Sequence, residues 1–100
     1  MVLKVHEVVN LARVVVSLKI LPDDVELSLE ELEKRIREKL PENYEVLKSA
    51  KEPIAFGLNA LRLYISIPEE TEGGTSKLEE VIAGVEGVSQ VEVLMVSRML

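Results

Sequence analysis

From Leu61 to Ile67 the chain alternates without a break, with Leu61, Leu63, Ile65 and Ile67 on one side and Arg62, Tyr64 and Ser66 on the other. A period of two sends successive side chains to opposite faces of an extended backbone, so this run is a half-buried strand. A second such run lies near the start: Ala12, Val14, Val16, Leu18 and Ile20 alternate with Arg13, Val15, Ser17 and Lys19, in a segment rich in β-branched residues. Pro22-Asp23-Asp24 ends it.

Between these strands the period changes. Ser28-Leu29-Glu30-Glu31 reads as a capping box, and Leu29, Leu32, Ile36 and Leu40 follow at helical spacing until Pro41 stops the run. Tyr44 to about Lys51 is a weaker strand, because Tyr44, Val46 and Leu47 do not alternate cleanly. After the alternating run, Pro68-Glu69-Glu70-Thr71-Glu72-Gly73-Gly74 is an acidic connection. A second helix starts near Thr75 or Ser76, either of which offers a capping hydroxyl; it buries Leu78, Val81, Ile82 and Val85, and Gly87 suits a left-handed terminator. The last strand runs from Val88 to about Arg98, with Val91, Val93 and Met95 on one face and Glu92, Leu94, Val96 and Arg98 on the other.

The order is β-α-β-β-α-β. Each helix is long enough to cross back over a sheet, and such crossovers are right-handed. The economical architecture is a ferredoxin-like α+β sandwich, a four-stranded antiparallel sheet with two helices on one face and the other face open. Residues 1–100 form a single domain, with 1–10 an N-terminal extension or the start of the first strand.

The stretch Glu52-Pro53-Ile54-Ala55-Phe56-Gly57-Leu58 does not fit a helix interior. Pro53 fixes its own φ and pushes Glu52 toward an extended conformation, and Gly57 permits a turn that a Cβ would resist. The loop carries the only phenylalanine of the chain and runs straight into a rigid strand, which suits the presentation of a binding residue. By residue type alone Phe56 is a core residue, since phenylalanine is among the residues most often buried.

Catalytic machinery is hard to assemble from this inventory. The chain has no cysteine, which removes thiolate nucleophiles and zinc–thiolate sites, and its single His6 cannot build a multi-histidine metal site. The carboxylate pairs Asp23–Asp24, Glu30–Glu31, Glu69–Glu70 and Glu79–Glu80 sit at helix starts and in a loop, where they are solvated and suit the helix dipole. Gly73-Gly74-Thr75-Ser76 lacks the rest of a phosphate-binding loop. With 18 acidic against 12 basic residues the net charge is −6, which repels phosphate backbones, and the aromatic signature of RNA-binding sheets is missing. No apolar run approaches the roughly 20 residues that span a bilayer, and the N-terminus is no secretory signal. These features describe a small acidic binding module for which a cytoplasmic location fits; a small-metabolite-binding regulatory domain of the same fold is one class that meets them.

Glu52-Pro53-Ile54-Ala55-Phe56-Gly57-Leu58 with Ala60-Leu61 strongly resembles the central motif of the elongation factor 1-beta family, guanine nucleotide exchange factors for elongation factor 1-alpha. Gly73-Gly74-Thr75, Leu78-Glu79-Glu80, Gly84-Val85-Glu86-Gly87-Val88, Val91-Glu92-Val93 and Ser97-Arg98-Met99-Leu100 continue the match in order over residues 11–100, in the manner of the archaeal form. The resemblance implies the same sandwich fold and translation elongation as the setting. It implies no covalent catalysis and no cofactor of its own, GDP, GTP and Mg²⁺ belonging to the partner GTPase. It moves Phe56 from the core to a contact surface formed by Pro53, Ile54, Ala55, Phe56 and Gly57 together with Arg98, Met99 and Leu100. In the eukaryotic members of the family a lysine next to the C-terminus reaches the magnesium region of the partner. Here that place holds Met99, with Arg98 the nearest cation, and Asn59 stands where relatives often have lysine.

Overall fold

The computed structural model describes residues 12–69 and 74–98. The elements run β1 (Arg13–Pro22), α1 (Leu29–Lys39), β2 (Glu45–Pro53), β3 (Asn59–Pro68), α2 (Thr75–Ala83) and β4 (Val88–Arg98). The strands form one antiparallel sheet in the order β2-β3-β1-β4, the ferredoxin-like arrangement. The two alternating runs lie side by side at its centre, with Val14 opposite Ile67, Leu18 opposite Leu63 and Ile20 opposite Leu61.

One face of these central strands makes the core. Val16, Leu18 and Ile20 of β1 and Leu61, Leu63, Ile65 and Ile67 of β3 pack with Leu32 and Ile36 of α1 and Leu78 and Ile82 of α2. Burying each large aliphatic side chain contributes about 1.5–3 kcal/mol, so the double-layer arrangement follows directly from the two periodicities. Ser28 caps α1 by accepting a hydrogen bond from the Glu31 amide at 3.0 Å. The Glu31 carboxylate pairs with Arg35 one turn on.

Three local expectations are corrected. Neither Thr75 nor Ser76 caps α2: its N-cap is Gly74, at φ 55°, and the Thr75 hydroxyl faces Glu79 inside the helix. Gly84, not Gly87, caps its C-terminus. Gly87, at φ 103°, makes the turn into β4 instead, so close to α1 that a Cβ there would lie 2.6 Å from a Leu27 methyl. The uneven patterns of β2 and β4 are bulges. β2 slips register between Val46 and Lys48, which leaves Leu47 as the extra residue. β4 slips between Val93 and Met95, so Met95 comes opposite Ser17 on the open face and Val96 opposite Val16. The expected grouping of Met95 with Val91 and Val93 fails because one inserted residue reverses the alternation beyond it. Residues 1–10, including His6, lie outside the described residues.

Candidate partner-binding surface

The hairpin joining β2 to β3 is Ile54–Leu58, closed by a hydrogen bond from the Leu58 amide to the Ala55 carbonyl at 2.8 Å and one from the Ile54 amide to the Leu58 carbonyl at 2.9 Å. Its two central residues both have positive φ, 53° at Phe56 and 78° at Gly57. That is the sign pattern of a type I′ turn, whose twist matches that of the flanking strands and whose usual sequence is Asn-Gly or Asp-Gly. Glycine at the second place is expected. Phenylalanine at the first is not, because a bulky side chain in the left-handed region clashes with its own backbone.

Phe56 is also 99% exposed, which overturns the core placement drawn from residue type alone. A large aromatic side chain is thus displayed to water on a strained backbone, two unfavourable choices at one residue. Backbone strain of this kind costs about 1–3 kcal/mol and concentrates at ligand clamps and other functional sites. Ile54, 37% exposed, extends the apolar surface of the loop. Beside it an open hollow of about 120 Å³ is lined by Lys19, Leu21, Ile54, Gln90 and Glu92, so the loop base borders both β1 and β4.

Beneath the loop, the open face of the sheet carries a charged network. Lys19 and Arg62 are direct cross-strand neighbours, two like charges that would repel if left alone. Glu52 separates them: one carboxylate oxygen accepts from Arg62 at 2.9 Å and the other faces Lys19 Nζ at 3.6 Å. The hydrogen bond from Arg62, helped by the charge of Lys19, holds the Glu52 carboxyl below the usual carboxylate range, against partial desolvation that pushes the other way. Arg62 also donates to Tyr64 Oη at 3.2 Å and Ser17 Oγ at 3.3 Å, and both Arg62 and Lys48 lie 5.7 Å from the Tyr64 ring centre. Sequence reading missed this network. Its signal was the placing of Glu52, Arg62 and Lys19 on one face, which needed the register of three strands to be seen.

The sequence-predicted residues separate into two groups. Pro53, Ile54, Ala55, Phe56 and Gly57 lie at the end of the sheet where β1 finishes. Arg98 pairs with Val14 at the other end, where β1 begins. Eight residues of strand separate the two ends, roughly 25 Å at 3.3 Å per residue. Arg98 is ion-paired with Glu69 and remains largely exposed. Met99 and Leu100 lie outside the described residues. Among the described residues the structure therefore does not bring the loop and Arg98 together into one patch.

No helix of the described residues is long and apolar enough to cross a membrane. A hollow of about 430 Å³ lined by Glu30, Glu33, Lys34, Arg37 and Glu38 is open space between charged side chains along α1. It lacks the enclosure and convergent polar groups of a metabolite site, and the metabolite-binding alternative is not favoured.

Comparison with known proteins covers most of the chain. Residues 15–99 match the family model of the EF-1 guanine nucleotide exchange domain. Elongation factor 1-beta of Ignicoccus hospitalis is 56% identical over 91 residues, covering 91% of this chain and 97% of the relative. That of Staphylothermus marinus is 60% identical over 88 residues, 88% of this chain and 98% of the relative. That of Hyperthermus butylicus is 54% identical over 88 residues, with 88% and 96% covered.

Proposed function

Because the chain belongs to the EF-1 guanine nucleotide exchange domain family, we propose that it accelerates release of GDP from elongation factor 1-alpha by perturbing the Mg²⁺ and phosphate end of that protein's nucleotide site. The observation that carries the reading to particular residues is Phe56, fully exposed on a left-handed backbone at the tip of a closed hairpin. Seating its ring in an apolar pocket of the partner removes from water a surface that this fold leaves uncovered. The other loop residues, Pro53, Ile54, Ala55 and Gly57, shape and flank that contact. Arg98 forms a second contact at the opposite end of the sheet, as the cation directed toward the phosphate region; Met99 and Leu100 are assigned to the partner-binding residues from the family resemblance alone.

An exchange factor makes and breaks no covalent bond, so it needs no nucleophile or base. It works by binding the nucleotide-free GTPase more tightly than the GDP-bound form, and linkage requires that this preference weaken GDP binding by the same factor. Loss of the Mg²⁺ that screens the phosphate oxygens speeds departure of the nucleotide; GTP then binds and the factor leaves. In this scheme the nucleotide and the metal are held by the partner and the chain carries no cofactor. It acts in the cytoplasm, without direct contact to nucleic acid or membrane.

The test is the release of a fluorescent GDP analogue from purified elongation factor 1-alpha of the same source. Release should accelerate with concentration of this protein and saturate, and Phe56→Ala should weaken the effect while circular dichroism stays unchanged. A release rate indifferent to the wild-type protein would sink the proposal.

A further inference from the structure

We propose that Glu52 is a positioning residue that holds the Phe56 hairpin in its binding geometry by tying edge strand β2 across β3 to β1; this rests on the reading of Phe56 as a partner contact. The two backbone hydrogen bonds that close the hairpin join its own arms. Phe56 is too exposed for its ring to anchor the tip by packing, so the place of the ring is set by the backbone of the stem. The stem belongs to an edge strand, since β2 is held through β3 alone. Glu52 lies at its end, the residue before Pro53.

The Glu52 side chain adds a tie from β2 to the strands beyond its hairpin partner. Its two oxygens engage cations on two different strands, Arg62 on β3 and Lys19 on β1, so the carboxylate spans three strands of the sheet. Arg62 is fixed in turn by Ser17 and Tyr64. An anchor built this way adds to what the β2–β3 ladder provides, and a binding group held in place loses less freedom on association. The strain at Phe56 makes the same demand, because a left-handed phenylalanine would relax if the stem could yield.

The experiment compares wild-type protein with Glu52→Gln, Phe56→Ala and the double variant. Amide hydrogen exchange, measured without any partner, should show the Ile54 and Leu58 amides of Glu52→Gln exchanging about tenfold faster while central β3 amides keep their protection. In GDP release, Glu52→Gln should raise the concentration for half-maximal acceleration about three- to tenfold and leave the maximal rate unchanged. In the Phe56→Ala background the same substitution should add nothing. Unchanged loop amides, or a Glu52→Gln penalty that persists in full without Phe56, would overturn the positioning role. Failure of the wild-type protein to accelerate release would instead strike the exchange reading and leave the amide result to decide the anchor.

Discussion

At Phe56 two local rules are broken together. The turn calls for a residue that tolerates positive φ, and exposure calls for a polar one; asparagine or glycine would satisfy both. Phe56 satisfies neither, at φ 53° and 99% exposure. Where local rules fail in a structure that is otherwise consistent, function is the usual reason. Phe56→Gly should therefore stabilise the isolated domain by about 1 kcal/mol through release of left-handed strain, which for a domain of this size raises Tm by roughly 4–8 °C. The same substitution should abolish most of the exchange acceleration. A thermal melt and a GDP-release assay on one sample check both halves, and a lowered Tm would show that the backbone was not strained. The sequence carried half of this. Gly57 announced the turn and Pro53 its entry, but the position of Phe56 within the turn, and hence the sign of its φ, depends on which residues the strands pair. Residue type alone pointed to the core.

At the scale of elements the long periodic runs were legible and the irregular ones were not. β1, β3 and the buried Leu32, Ile36, Leu78 and Ile82 of the helices follow from hydrophobic spacing because each element has one face on a single core, whereas Val81 is only half-buried and Val85 packs on the core from beyond the end of α2. β2 and β4 lie at the edges, where one extra residue costs little, and the bulges at Leu47 and Leu94 break the alternation on which face assignments depend. The Glu52 network was illegible for a related reason: its members come from three strands, and only register brings them together. The charge on Glu52 gives this element a pH signature. The groups around the carboxylate on the open face are Lys19, Arg62 and Tyr64, with Glu92 opposite Lys19. Its pKa is depressed in the folded protein, by the hydrogen bond from Arg62 first and the charge of Lys19 next. Its stabilising contribution is therefore present above the pKa of the unfolded chain and lost as pH falls through the lower folded value. The Tm difference between wild type and Glu52→Gln should be constant near neutral pH and shrink on acidification below the ordinary carboxylate range. A difference that grows toward acid would mean the carboxylate is not the stabilised form.

At the scale of the whole molecule the sheet acts as a spacer. The loop around Phe56 and the strand end at Arg98 are fixed to opposite ends of β1, roughly 25 Å apart, on a core of packed aliphatic side chains that does not bend easily. A partner touched at both ends must present two separate places at that distance, one apolar and one able to receive a cation. This converts into a quantitative expectation, because substitutions separated by more than about 10 Å with no shared neighbours add within about 0.5 kcal/mol. Phe56→Ala and Arg98→Ala should each weaken GDP-release acceleration, and the double variant should show the product of the two losses to within about twofold. Glu69→Gln belongs in the same series. It removes the negative charge that pairs with Arg98 in the free protein, so it should leave acceleration intact or raise it, whereas losing Arg98 itself lowers it. If Arg98→Ala exchanges like wild type, the C-terminal end is not part of the surface. If the double variant is no weaker than Phe56→Ala alone, the two ends act through a single step rather than as independent contacts, and the rigid-spacer account fails with it.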